Sequence, residues 1–185
     1  MTVRREECMG IDCNLQLPDT EILPDLAEFA AMPSPDLNKP MRVLFVCTGN
    51  TCRSPMAAAV LNALGGGRYA AQSAGLVAKP GIPISPYAVR ALEEAGIVST
   101  PSNNYKAHKS RTVTEQMIAE ADRVIGMTES HMLLLMREYP QHAAKISVMK
   151  RDIADPYGGT LEDYKKCLAE ITDSLRQTFP LEREE

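Results

Sequence analysis

The stretch MRVLFVCTGNTCRSPMAAAVLNAL, residues 41–64, constrains this chain more than any other. MRVLFV is short, apolar and partly β-branched, which is the pattern of a fully buried strand. The segment SPMAAAVLNAL has a strong helical pattern, with Ser54 as a suitable N-cap and Pro55 suited to the first helical position. Gly65, Gly66 and Gly67 then end the helix. A buried strand therefore runs through a short polar loop straight into a helix N-terminus.

The rest of the chain repeats the alternation. RYAAQSAG reads as a second strand, and ISPYAVRALEEAG as a second helix opened by Ser-Pro and closed by Gly96. VTEQMIAEA is a short third helix. RVIGMT and KISVMK are strands separated by a helix around ESHMLLLMREY, and TLEDYKKCLAEITDSLRQTF is a long amphipathic C-terminal helix. Strands that alternate with helices predict an α/β fold whose parallel sheet is covered on both faces. In such folds ligands bind beyond the carboxyl ends of the strands.

Cys47 stands at that end of the first strand, and Arg53 follows with five residues between, as C-x-x-x-x-x-R. A loop of this length, closing on a helix N-terminus, can ring a tetrahedral anion with backbone N–H groups. Arg53 adds a bidentate grip on two oxygens. The same positive field favours a thiolate at Cys47, and a thiolate beneath a bound phosphate is a nucleophile. Expelling a poor leaving group also needs a proton donor, and water must later be activated. DIADPYGGT offers Asp155 in a rigid exposed turn between the last strand and the last helix, on the same sheet edge as Cys47. Tyr157 would wall the entrance.

Composition narrows the alternatives. Residues 1–40 carry three basic and eight acidic side chains, whereas the remainder is nearly balanced. Neither part has the basic excess of a nucleic-acid footprint. No apolar stretch approaches a membrane span, and MTVRREECMGIDCN lacks the apolar middle of a secretory signal, so a cytoplasmic setting is expected. The five cysteines fit neither a disulfide framework nor a four-ligand zinc site, and no metal or other cofactor is expected. Residues 1–40, with five prolines and a short helix expected near 24–31, are expected to be a separate, loosely structured N-terminal extension. Cys167 is expected to face the core.

VCTGNTCRSPMA together with the late DPYGG resembles the low-molecular-weight protein tyrosine phosphatase family over about residues 41–180. The resemblance implies a flavodoxin-like three-layer sandwich with a four-stranded parallel sheet, occupying residues 41–185, and metal-free hydrolysis through a phosphocysteine. It implies Cys47 as nucleophile, Arg53 as phosphate clamp and Asp155 as general acid and then base. Thr48, Gly49, Asn50, Thr51, Cys52 and Ser54 would form the phosphate-binding loop, with Tyr157 at its mouth. Ser54 would hydrogen-bond the Cys47 sulfur and Asn50 would brace the loop. AHKSRTVT resembles the family's His-x-x-Arg segment, which makes His108 the partner of Asn50 and Ser54. In some relatives the Cys52 position forms a protective disulfide with the nucleophile; the other reading is a packed thiol.

Thr51 separates branches of the family. Tyrosine phosphatases usually carry Ile there, while CTGNTCRSP resembles the bacterial protein arginine phosphatases. Threonine removes bulk beside the phosphate and supplies a hydroxyl, which suits a planar guanidinium. The expected partners are thus proteins phosphorylated on arginine, with phosphotyrosine proteins as the alternative. An arsenate reductase would need resolving cysteines late in the core, where only Cys167 remains. A non-catalytic phosphate-binding module would not need Cys47, Arg53 and Asp155 together.

Overall fold

The computed structural model describes residues 39–181. The N-terminal extension, with Cys8, Cys13 and the helix expected near residues 24–31, falls almost wholly outside the described residues. Four strands form one parallel sheet: β1 (Met41–Cys47), β2 (Tyr69–Gly75), β3 (Arg123–Gly126) and β4 (Ile146–Val148). Their spatial order is β2-β1-β3-β4. The chain winds from β1 to one side and then crosses to the other, so the strand order reverses between β1 and β3. That reversal opens a crevice at the carboxyl end of β1, where α/β sheets bind ligands. This is the α/β architecture, with the four-stranded parallel sheet, that the alternation predicts.

Among the described residues five α-helices cover the sheet: α1 (Arg53–Leu64), α2 (Pro86–Glu94), α3 (Glu115–Glu120), α4 (Glu129–Glu138) and α5 (Leu161–Thr178). Side chains of β1 alternate between two cores, as the two-residue period of a strand requires. Val43, Phe45 and Cys47 join one core with α1, α2 and α5, including Met56, Leu92 and Ile171. Leu44 and Val46 join the other, with Ile118 of α3 and Leu135 of α4. Both faces being dry explains why MRVLFV shows no polar alternation. No helix among the described residues is long and apolar enough to cross a membrane.

Helix starts follow their sequence signals with one exception. Thr114, Thr128 and Thr160 cap α3, α4 and α5 through their side chains, and Thr160 forms a reciprocal capping box with Asp163. Ser85 and Pro86 open α2 as expected. Ser54, however, is not an N-cap: α1 starts at Arg53, with Cys52 in the capping position and no side-chain cap. The Ser54 hydroxyl turns instead toward the Cys47 sulfur, 3.0 Å away. The first turn of α1 carries no acidic residue, which leaves its positive end to a ligand.

Ile171 of α5 is fully buried against the larger core. Its replacement by Ala is expected to cost about 2–5 kcal/mol, read as a lower urea midpoint with an unchanged slope.

Candidate active site

The loop from Cys47 to Arg53 closes over the end of β1. Its turn depends on Asn50, which has φ of 57°, the left-handed region that non-glycine residues seldom occupy. The carboxamide is fully used. Its nitrogen donates to Ser54 Oγ at 3.0 Å and to Ser73 Oγ at 2.9 Å, and its oxygen accepts the Arg111 N–H at 3.0 Å. His108 Nε2 donates to the Asn50 carbonyl at 2.9 Å. One side chain therefore ties the loop to α1, to β2 and to the segment around residue 111. Gly75 permits the close approach of β2, since a Cβ there would lie 2.6 Å from the Thr48 carbonyl.

The Cys47 sulfur is buried and faces inward to the loop's donors. The Asn50 N–H points at it from 3.3 Å, and Ser54 Oγ is at 3.0 Å. Arg53 is also buried. Its Nη1 donates to the Ile153 carbonyl at 3.2 Å, and its Nη2 donates to Thr48 Oγ1 at 3.4 Å and forms an ion pair with Asp155. The Asp155 side chain remains 46% exposed, and its other oxygen accepts the Tyr157 N–H at 3.2 Å. Asp155 thus stands at the mouth of the loop, on the carboxyl side of the sheet with Cys47. The turn below it closes through Gly159 N–H to the Pro156 carbonyl at 2.9 Å.

Beside this mouth lies a cleft of about 540 Å³, lined by Thr51, Ile82, Pro83, Val89, Lys106 and Tyr157 among others. Tyr157 stands 77% exposed on its wall. Thr51 is the loop residue that borders both the cleft and the anion ring, and its carbonyl accepts the Ser85 N–H at 2.9 Å. Cys52 lies on the opposite side, buried, 3.3 Å from Tyr164 Oη, which also accepts from Ser85 Oγ at 3.1 Å. Burial pushes the Cys52 thiol up, and it pushes the Tyr164 phenol up to about 12. Cys47, Cys52 and Cys167 are all free thiols, and Cys167 faces the core as expected.

Every predicted loop residue therefore gathers at one sheet edge, with Asp155 and Tyr157 opposite. One assignment changes: His108 meets Asn50 through the backbone carbonyl and has no bond to Ser54, whose hydroxyl is engaged by Asn50, Cys47 and the Ala74 carbonyl. Three contributors escape sequence reading. Ser73 occupies an inward position of β2, where its small polar side chain is the signal. Arg111 is the last residue of the His-x-x-Arg segment, and it meets Asn50 through its main-chain N–H. His131 sits in the first turn of α4, buried, 3.0 Å from Thr48 Oγ1 and 2.6 Å from Thr128 Oγ1.

A thiol met by the Asn50 amide and the Ser54 hydroxyl, a buried guanidinium and an exposed carboxylate make a site for transfer of a tetrahedral oxyanion to sulfur. The profile of the low molecular weight phosphotyrosine protein phosphatases matches residues 42–184. The chain belongs to this family. It is a cysteine-dependent protein phosphatase. Among its relatives, a protein-arginine-phosphatase of Bacillus subtilis is 35% identical over 147 residues, covering 74% of this chain and 93% of that protein. A second protein-arginine-phosphatase, from Geobacillus stearothermophilus, is 37% identical over 139 residues, covering 71% and 89%. The crystal structure of a low molecular weight protein tyrosine phosphatase from T. tengcongensis superimposes with a TM-score of 0.67 at 40% identity, covering 75% of this chain and 99% of that one.

Two expectations follow for the phosphatase. Asn50→Ala removes the brace and strains the left-handed position, whereas Asn50→Gly removes the brace alone. Both should lower stability by about 1–3 kcal/mol, with Ala the worse by about 1 kcal/mol in chemical denaturation. Burial lowers the pKa of both His108 and His131. Above about pH 6.5 these rings are neutral in folded and unfolded chains alike, and stability is complete. Below that pH the unfolded chain binds protons first, so stability should fall with acidification toward the folded-state pKa values. Thermal unfolding between pH 8 and 5 measures this slope, and His108→Asn should flatten it.

Proposed function

We propose that this phosphatase hydrolyses phosphoarginine in proteins. The observation that carries the reading is Thr51, which places a small hydroxyl residue where the anion ring meets the cleft walled by Tyr157. The names of the two arginine phosphatase relatives agree with it. A guanidinium is planar and cationic, so it can lie against the Tyr157 ring while its charge faces Asp155.

In this reading the phosphoryl group takes the place of Asp155 on Arg53, and the amides of the loop hold its remaining oxygens. The Cys47 thiolate attacks phosphorus, and the P–N bond breaks as Asp155, which takes a proton from solvent on being displaced from Arg53, passes that proton to the leaving nitrogen. Asp155 then takes a proton from water, the water oxygen attacks phosphorus, and the S–P bond breaks to release inorganic phosphate and restore the thiolate. Ser54 and the Asn50 N–H stabilise sulfur at the start and the end of this cycle. Asn50, with His108 behind it, keeps the ring of amides formed, and Thr48, Gly49 and Cys52 complete the loop.

A phosphotyrosine substrate is the second reading, favoured by the family as a whole and by the T. tengcongensis relative. The deciding measurement is kcat/KM on matched phosphoarginine and phosphotyrosine peptides in excess chelator. Preference for phosphoarginine is expected, and preference for phosphotyrosine would overturn the proposal. Thr51→Ile should shift the ratio toward phosphotyrosine. Cys47→Ser should abolish turnover. Asp155→Ala should lower kcat about 10²–10⁴-fold while inorganic phosphate binds at least as well, because Arg53 loses its competing carboxylate.

A further inference from the structure

Thr48 directly follows the Cys47 nucleophile and is exposed at the mouth of the loop. Its Oγ1 lies 3.0 Å from His131 Nε2 and 3.4 Å from Arg53 Nη2. The other ring nitrogen of His131 lies 2.6 Å from Thr128 Oγ1. That length lies below the range of about 2.7–3.2 Å usual for an N–H donating to oxygen, which favours Thr128 as the donor. Thr128 therefore donates its proton to Nδ1, and the proton of the ring sits on Nε2 and is donated to Thr48. Arg53 has donors only, so Thr48 Oγ1 accepts from it as well. A hydroxyl oxygen has two lone pairs and one proton. With both lone pairs occupied, the Thr48 proton takes the remaining direction, where it meets no third partner among the described residues.

We propose that His131 is a positioning residue: with Arg53 it fixes Thr48 Oγ1 as a double acceptor, so that the Thr48 hydroxyl donates to a phosphoryl oxygen of the substrate. The inference rests on the phosphatase reading above. It explains why a buried histidine stands behind the loop with both nitrogens engaged, although it touches neither Cys47 nor Asp155. Burial, followed by the nearby Arg53 charge, lowers the pKa of His131 and keeps the ring neutral near neutral pH. A neutral ring has one N–H to place. Were it on Nδ1, the Thr48 proton would be spent on Nε2 and the substrate would lose a donor.

Two measurements on the full chain test this. Imidazole ¹⁵N shifts at pH 7.5, with the His131 signal assigned through His131→Asn, should report a neutral ring protonated on Nε2. A ring protonated on Nδ1, or a charged ring, overturns the inference. Turnover of p-nitrophenyl phosphate gives the second readout. Thr48→Val and His131→Asn should each lower kcat/KM about tenfold, and the double variant should be no worse than either. His131→Gln, which can present an amide N–H at the Nε2 position, should recover most of the loss. Losses that multiply to about a hundredfold, or a Gln variant as impaired as Asn, overturn the inference and leave the phosphatase reading standing. A wild-type chain that turns over neither this substrate nor the phosphopeptides overturns that reading, and the inference with it.

Discussion

The carboxamide of Asn50 is the interaction on which the site depends. It sits on a backbone turn that L-residues disfavour, so something must hold it there. Its three side-chain hydrogen bonds do so, and they end on α1, β2 and the segment carrying Arg111. Other bonds join these elements in pairs, such as Arg111 Nε to the Ser73 carbonyl at 3.0 Å and Ser54 Oγ to the Ala74 carbonyl at 3.3 Å, while the Asn50 carboxamide reaches all three. The loop therefore keeps its shape only while the sheet, the helix and the distant segment hold these bonds, and those elements are in turn held by the cores on either side of β1.

How much of this was legible in the sequence follows from the range of the contacts. The strand, the loop and α1 lie within one run of residues, and each announces itself locally through apolar residues, small polar residues and an alanine-rich helix. Asp155 was readable because Asp-Pro-Tyr-Gly-Gly is itself a turn signal between two strong elements. The capping role of Ser54 was misread because its residue type fits a cap, while the tertiary contact with Cys47 claims the hydroxyl instead. Ser73 and His131 carry no local signature. Their importance depends on Asn50 and Thr48, which lie 23 and 83 residues away in the chain. The segment around Arg111 reads as a loop because it pairs with the sheet through a single bridge, Gly75 with Thr112.

Two sides of the loop are treated differently by the fold. On the side of Thr51 the cleft is open and bordered by exposed Tyr157, and Thr51 itself is half-buried with Oγ1 3.5 Å from Cys52 Sγ. On the side of Cys52 the thiol is locked against Tyr164 and Ser85, which join α5 to the start of α2. Neighbouring residues thus answer to different demands, one to what is bound and the other to how the helices pack. In the proposed reading a substitution at position 51 acts on selectivity, whereas one at position 52 disturbs three elements at once.

The ion pair between Arg53 and Asp155 has a consequence for how the resting protein meets the anions around it. The guanidinium most suited to capture an oxyanion is already matched by a carboxylate from its own chain. Free phosphate or sulfate must displace that partner and leave it beside a second negative charge, which opposes what the loop amides contribute. A phosphorylated arginine brings a cationic group along with its phosphate, so the displaced carboxylate exchanges one positive neighbour for another. The resting pair acts as a toll on simple salts from which a zwitterionic group is largely exempt.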